Sequence, residues 1–598
     1  MSMERPDLTF NLLGEDDPIN DPRIFMDWLL NEIECAGEIA IDTETNGLQW
    51  WTPRFTRLVQ FGSRTAGWAI PVDWYGKVVT EAMRAVRDAG CKVLMHNAAF
   101  DMHALESDGF PVPEWRNVED TMLLHSIAEP HLGHGLKPLT MRLLGRWAGL
   151  GQDALRSKMN KHGWTWATIP VDEPAYWAYG VLDTCLTLLL WDAVRPMLDE
   201  RQQAAYEREM AYRRIMSGAE TRGLRVDEGY TRTLLRQWDD RIQEKANHLA
   251  AVDGILNPNA NKQVEAALVD LGVEFYDFTP KTGDAKIDKA LFARLVEFGG
   301  PAGDLAKSLV EYKQLTKWRG TYLQAFLNDV DSDGYLHPSI RTMGAKTGRS
   351  SITDPPMQTL PSAGSGGVIR RCIIPAPDHH LCSIDYAGQE ARIFASYANE
   401  QGMLAELRRP GGDLHNYVAS LVYGEDFTKQ HRSIAKTVNF ALLYGAGPAK
   451  LAQSAGVSED EMTLFLSRYH QTFPGVSKFM NSVEQVAKAH LHDDGMAWVR
   501  TSGGRKVVAD DNQTYALTNY LVQGSGADVL KDACIRLDAA GYGEYILLPV
   551  HDEILFQFPE GFTDTETVAD LMADADTFRI PITVDVSPPL TSWGSEYE

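Results

Sequence analysis

His431-Arg432-Ser433-Ile434-Ala435-Lys436-Thr437-Val438-Asn439-Phe440-Ala441-Leu442-Leu443-Tyr444-Gly445 sets two cations and then two aromatics at successive steps of four residues. On a helix, Arg432, Lys436, Phe440 and Tyr444 share one face. Such a stripe offers fixed positive charge for a polyphosphate, then flat surfaces for a sugar and a base. It is equally the pattern of an amphipathic helix with its aromatics in a core and its cations in water. The sequence around it has to decide.

Acids flank the stripe on both sides. Asp385 ends the apolar run Leu381-Cys382-Ser383-Ile384, and Asp552 lies at the tip of an expected hairpin, Val550-His551-Asp552-Glu553. Two carboxylates brought together from distant strands repel unless divalent cations sit between them, and hard cations such as Mg2+ take oxygen ligands. Two such ions about 4 Å apart stabilise the attacking and leaving oxygens of phosphoryl transfer. Taken alone, Asp552 is as readily a turn residue. A second set stands in the first third of the chain. Alternation puts Asp42 and Glu44 on one face of a strand. Asn97-Ala98-Ala99-Phe100-Asp101 adds an acid beyond the run Lys92 to Met95, and Tyr179 and Asp183 are one helical turn apart. His125, His131 and His134 lack ligand spacing and read as solvated or hydrogen-bonded.

The chain of 598 residues is long enough for several domains, and its 44% hydrophobic and 23% charged residues are those of an ordinary globular protein. No apolar run is read as reaching membrane-span length, and the acidic N-terminus carries no secretory pattern, so a cytoplasmic chain without a membrane partner is expected. Six scattered cysteines read as buried thiols. A net charge of -25 opposes general affinity for phosphate backbones. Locally the balance reverses: residues 341–371 hold Arg341, Lys346, Arg349, Arg370 and Arg371 against the single acid Asp354, and residues 307–319 hold Lys307, Lys313, Lys317 and Arg319 against Glu311.

The first 200 residues alternate short strands, at 38–41, 57–61 and 92–95, with helical patterns, which is an α/β arrangement. From Gln202 to about Tyr322 the patterns are helical. Strands return at 334–340 and 381–385, helices run from about His415 to Ala489, and strands resume near Trp498, at 545–550 and at 554–558. A sheet-based unit is therefore interrupted by a helical insertion.

Together these segments resemble the family A (polymerase I type) DNA polymerases. Asp385-Tyr386-Ala387-Gly388-Gln389-Glu390-Ala391-Arg392 looks like their motif A, the stripe around Lys436 like motif B, and Val550-His551-Asp552-Glu553 like motif C. Thr347-Gly348-Arg349-Ser350-Ser351, Asp413-Leu414-His415 and Asn519 to Lys531 match further segments. The N-terminal acids resemble the DEDDy 3'-5' exonucleases. The resemblance implies a ribonuclease H-like α/β exonuclease domain followed by a right-hand polymerase with an α+β palm and helical thumb and fingers. The expected boundaries are 1–200 exonuclease, 201–335 thumb, 336–412 palm, 413–497 fingers and 498–598 palm again.

It further implies two Mg2+ ions per site, with Mn2+ as an alternative, held by Asp385, Asp552 and the Tyr386 carbonyl in the palm and by Asp42, Glu44, Asp101 and Asp183 in the exonuclease, where Tyr179 orients water. Lys436 and Arg432 would neutralise the triphosphate of a dNTP, assisted by His415, and Lys436 would protonate the pyrophosphate. Glu390 would crowd a ribose 2' hydroxyl, while Phe440 and Tyr444 would stack at sugar and base. A phenylalanine at 440 implies discrimination against dideoxynucleotides. Arg349, Asn519, Gln523 and His551 would contact primer and template, and Glu553 would shape the metal site. Leu48 and Asn97 match positions that support the terminal nucleotide. The implied partners are primed DNA, dNTPs and a single-stranded 3' end; a monomer is expected, and replisome proteins are left open. The start of the chain so close to the exonuclease implies no 5' nuclease domain, and Gly388 gives motif A a phage-like form, hence phage replication in a host cytoplasm. Ala387-Gly388-Gln389, Thr359, Ala441 and Tyr515 depart from the family pattern without removing a metal ligand. The competing readings are a nuclease whose hand only holds DNA, a non-catalytic DNA-binding scaffold, and an RNA-synthesising or reverse-transcribing hand; Glu390 and the exonuclease match disfavour the last.

Overall fold

Glu38-Ile39-Ala40-Ile41-Asp42-Thr43-Glu44-Thr45 carries its apolar residues in succession, which suits a strand covered on both faces. In the computed structural model, which describes residues 6–14, 21–361, 367–443 and 447–597 (side chains of 440–443, 596 and 597 excluded), it is central in a six-stranded mixed sheet. The strands are β1 (Thr9–Leu12), β2 (Glu38–Thr45), β3 (Thr56–Gly62), β4 (Ala66–Pro71), β5 (Lys92–Met95) and β6 (Val118–Asp120). Their order is β1-β4-β3-β2-β5-β6, with β2 antiparallel to β3 and parallel to β5. The helix Pro174–Val194 lies across β2, β3 and β4. Glycines let it come close: a side chain at Gly62 would collide with Thr184, and one at Gly180 with Gln60. This helix corrects the expectation that no run reaches membrane-span length. It is apolar and long enough to do so, but two thirds of its apolar window is buried inside the protein.

The helix Glu200–Arg222 starts at a capping box between Asp199 and Gln202 and carries the chain to the second half. The Gln202 side chain donates to the Ile127 carbonyl at 2.8 Å, and Glu209 pairs with the buried Lys531 at 2.7 Å, so one helix is fastened to both halves. Helices 228–253, 261–270, 289–298 and 300–318 follow, the last three around a small core of Val264, Leu268, Phe292 and Leu309. A four-stranded antiparallel sheet comes next: β7 (His379–Tyr386), β8 (Ile546–Val550), β9 (Glu553–Pro559) and β10 (Val584–Val586), in the order β8-β9-β7-β10. Among the described residues, seven α-helices and the hairpin Ala497–Arg500 with Lys506–Ala509 separate β7 from the helix Leu517–Ala539 that precedes β8. The insertion was legible; its packing is continuous with the sheet, because Ile384, Phe394, Val418, Ile434 and Leu555 share one core.

Three expectations need correction. The run 334–340 is two short strands, Tyr335–Leu336 and Ser339–Arg341, that pair with Leu224–Arg225 and Ser351–Thr353. His337-Pro338 separates them, since a proline has no amide to donate to a ladder. Cys35 is exposed near the end of the helix Pro22–Ala36, whereas the other five cysteines are buried. The basic stretch 341–371 is an open patch only in part, exposed at Arg341 and Lys346. Arg370 is buried against the Trp593 ring at 4.2 Å, Arg349 pairs with Glu390 at 2.7 Å, and Lys346 lies 3.6 Å from Asp510.

Candidate active sites

In the N-terminal half, the four acids singled out from the sequence come together. Asp42 and Glu44 stand on β2, Asp101 on the helix Ala98–Ser107 and Asp183 on the helix Pro174–Val194. Asp101 is anchored to β2, its Oδ1 accepting from the Thr43 amide (3.0 Å) and hydroxyl (2.7 Å). Its helix begins at Asn97, whose left-handed backbone (φ 70°) lets the Asp120 carboxylate accept from the amides of Asn97 and Ala98. The same carboxylate caps the next helix through Met122 and Leu123. Glu44, Asp101 and Asp183 are buried and Asp42 is half-buried.

Burial first, then mutual repulsion, pushes the carboxyls of Asp42 and Glu44 well above the ordinary carboxylate range. Burial raises Asp101 to about 7, against its bonds from Thr43. It raises Asp183 as well, with Lys137 opposing. Tyr179 is raised by burial and the surrounding negative charge. Lys137 is the residue that the sequence reading missed. Its ammonium pairs with Asp183 Oδ1 and lies 4.4 Å from the centre of the Tyr179 ring, and the side chain is buried. A single lysine in His134-Gly135-Leu136-Lys137-Pro138 carries no pattern that could have flagged it. Among the described residues no three acid or histidine side chains converge closely enough to grip an ion as they stand. Even so, the donor set is all hard oxygen, buried and negative, which is what a divalent cation of the Mg2+ kind requires. The histidines behave as expected: His125 is 2.7 Å from His134 and 3.2 Å from Glu129, within hydrogen-bond reach of both.

In the C-terminal half, register does the work. Asp385 on β7 is paired with Glu553 on β9, and the Tyr386 amide donates to the Asp552 carbonyl at 3.0 Å. Asp385 and Asp552 therefore leave the same end of the sheet from adjacent strands. His551 takes a left-handed conformation (φ 58°) in the two-residue turn and lies 3.1 Å from the Gln358 carbonyl. Glu553 is held by the Ser383 hydroxyl at 2.6 Å and the Trp593 indole at 3.3 Å.

The stripe occupies the helix Lys429–Leu443, with Ile434, Ala435 and Val438 in the core and Lys436 exposed on the other side. Tyr444 lies outside the described residues, as does the side chain of Phe440. Arg432 is half-buried and donates to Asp413 at 2.7 Å, so its charge is partly matched already. Asp413 also caps the helix Leu414–Tyr423 through the amides of His415 and Asn416. The His415 ring lies 3.1 Å from the Asn439 amide. Its pKa is lowered, mainly by burial, with Asp413 opposing and the charges of Arg432 and Lys436 adding to the shift. Glu390, near the start of the helix Gln389–Ala398, is bound by Arg349. Gln523 is half-buried, and Asn519 is buried with its amide nitrogen unmatched. Thr359 bonds Tyr322 at 2.7 Å, and Tyr515 is exposed.

A family model described as DNA polymerase family A matches residues 228–595, and one described as 3'-5' exonuclease matches residues 20–199. The DNA polymerase of Mycobacterium phage D29 is 31% identical over 593 residues, covering 96% of this chain and 95% of that protein. The DNA polymerase of Mycobacterium phage L5 is 30% identical over 598 residues, covering 96% and 95%. DNA polymerase I of Chloroflexus aurantiacus is 28% identical, covering 93% of this chain and 61% of that protein. A solved structure, the POL domain of Pol1 from M. smegmatis in complex with DNA primer-template and dNTP, superposes with a TM-score of 0.79. It is 24% identical, covers 98% of this chain and 100% of that one, and shares the fold.

Proposed function

This chain belongs to DNA polymerase family A and carries a 3'-5' exonuclease domain, and on that premise we propose how its residues divide the two reactions. Residues 1–200 form the exonuclease, 201–335 the thumb, 336–412 and 498–598 the palm, and 413–497 the fingers. The observation that carries the polymerase assignment is the register of β7 with β9, which brings Asp385 and Asp552 to one sheet end.

Asp385, Asp552 and the Tyr386 carbonyl would hold two Mg2+ ions in the palm, and Asp42, Glu44, Asp101 and Asp183 two more in the exonuclease. When bound, such pairs favour ionisation of the attacking hydroxyl or water and balance charge on the leaving oxygen. The protein's own part at the palm is positioning and charge. Lys436, exposed beside His415, meets the triphosphate of the dNTP and delivers a proton to pyrophosphate. Arg432 does the same electrostatic work once its bond to Asp413 is shared. Glu390, steadied by Arg349, sets the floor under the sugar, while Arg349, Asn519, Gln523 and His551 line the path of primer and template. By the family resemblance, Phe440 would stack at the sugar and Tyr444 at the base. At the exonuclease, Tyr179 holds the water that attacks the last phosphodiester of a single-stranded 3' end, with Leu48 and Asn97 beneath the terminal nucleotide. The two activities together amount to proofreading during phage DNA replication in a host cytoplasm by a monomer.

Extension of a primed template in Mg2+, with matched and mismatched 3' ends, tests both sites. Matched ends should extend directly, and mismatched ends should extend only after loss of the terminal nucleotide. Extension of mismatched ends without excision would overturn the proofreading assignment.

The acid cluster has a consequence for stability in EDTA. Carboxyls whose folded pKa lies above the unfolded value bind more protons when folded, so stability falls as pH rises through that interval. For Asp101 the interval runs from 3.8 to about 7, corresponding to about 4 kcal/mol between its protonation states. Buried His96 and His125, lowered to about 4, act in the opposite sense below 6.5. The net loss should therefore emerge above pH 6.5, where the Asp101 interval continues and the histidines no longer oppose it. Amide exchange in β2 and β3 should quicken from pH 6.5 to 8 in EDTA, after correction for intrinsic rates, and stay level in Mg2+. An equal rise in both solutions would refute this.

A further inference from the structure

We propose that Lys137 is an internal counterion of the exonuclease site, a positioning residue that occupies Asp183 until a divalent cation takes its place. The proposal rests on the assignment of Asp42, Glu44, Asp101 and Asp183 as metal ligands. Four carboxylates, three of them buried, come from three elements, and Lys137 is in direct contact with one of them, Asp183. Its side chain is only 4% exposed, and it pairs with Asp183 while lying over the Tyr179 ring, which shares a helix with Asp183. Burying an ammonium is costly unless it is matched. Here the match is a carboxylate that no other cation contacts among the described residues.

The placement is built rather than incidental. Lys137 stands in the first turn of the helix Leu136–Leu143. Arg142 on the same helix pairs with Glu129 and lies 2.9 Å from His125. His125 reaches His134, just before the helix, at 2.7 Å. His125 and His134, two of the histidines that lacked ligand spacing, thus brace the helix that presents Lys137.

Geometry supports exchange rather than joint binding. Asp183 Oδ1 is taken by the ammonium and Asp101 Oδ1 by Thr43. With these two oxygens engaged, the four acids do not converge on one point. A divalent ion brings twice the charge of the lysine to these carboxylates, and its affinity is reduced by the interaction that it displaces. Lys137 would thereby keep Asp183 and Tyr179 in place without metal and set how much metal the site needs.

The test uses the full chain with the palm acids replaced (Asp385→Ala and Asp552→Ala), so that Mn2+ binding reports the exonuclease site alone. In that background Lys137→Met should bind Mn2+ about tenfold more tightly, the equivalent of one pKa unit of opposing charge. In EDTA it should unfold at a lower temperature, and Mn2+ should close that gap. Lys137→Arg should behave as the parent in both measurements. Mn2+ affinity in Lys137→Met equal to or weaker than the parent, with the melting temperature in Mn2+ restored, would overturn the exchange. A variant that fails to fold gives no recovery in Mn2+; Lys137→Gln then decides, by the same affinity comparison. Asp42→Ala with Glu44→Ala in the same background separates the two levels. If it binds Mn2+ as the parent does, the ligand assignment itself falls; if it loses binding while Lys137→Met is unchanged, only the exchange falls.

Discussion

Asp552→Ala should extend a primed template about 10^3-fold more slowly than the parent while shortening single-stranded DNA at the parental rate. The size follows from removing one of the two carboxylates proposed to hold a metal pair, where about 4 kcal/mol of transition-state stabilisation would be at stake. The selectivity follows from separation in the fold: Asp552 belongs to the β8–β9 turn, whereas Asp42 and Glu44 stand on a strand of the other sheet and Asp101 and Asp183 on two helices of the N-terminal half. Stability should change little, because Asp552 is half-buried at a turn and its structural bond is made by its backbone carbonyl to the Tyr386 amide. Asp385→Ala should match it, since that side chain is exposed. Glu553→Ala should differ, because it strips the Ser383 hydroxyl and the Trp593 indole of their shared acceptor and lowers the melting temperature as well. Steady-state extension on a primed oligonucleotide, beside degradation of the same oligonucleotide unpaired, measures both. Near-parental extension by Asp552→Ala would remove this residue from the metal site.

Much of this was legible in the sequence because the chemistry needs unusual residues at regular intervals. Alternation alone predicted that Asp42 and Glu44 share a face, and both interact with Asp183 and Asp101 as that requires. One helical turn between Tyr179 and Asp183 was enough to put both on the helix Pro174–Val194. Asp385 at the end of an apolar run and Asp552 in a two-residue turn were readable one at a time. That they leave one end of the sheet was not, since the cross-strand register joins Asp385 to Glu553, 168 residues on, and no local pattern encodes it.

What stayed hidden was partnership. The cations at 349, 370 and 432 read as free positive charge, yet each is engaged, by Glu390, by the Trp593 ring and by Asp413. A sequence lists charges without saying which of them neutralise each other across hundreds of residues. Lys137 is the extreme case: an isolated lysine in an unremarkable helix, given meaning only by the acids that the fold gathers around it. The strand expected at 334–340 failed for a local reason, a proline in its middle, and its halves joined other partners.

Replacement of Asp42 and Glu44 together by alanine should have the converse effect to Asp552→Ala: 3' degradation falls about 10^3-fold while extension of a matched primer is unchanged. A second readout separates loss of chemistry from loss of structure. Most polar or charged residues replaced in a buried setting cost stability, but here each of the two acids is pushed toward protonation by burial and by its acidic neighbours. Removing both relieves that repulsion and leaves Asp183 with Lys137 and Asp101 with Thr43. The variant should therefore melt at a higher temperature than the parent in EDTA and lose the stabilisation that Mg2+ gives the parent exonuclease domain. On mismatched primer ends it should stall or extend the mismatch, because the end can no longer be removed. Retained degradation with a lower melting temperature would mean that these carboxylates serve the fold rather than the reaction.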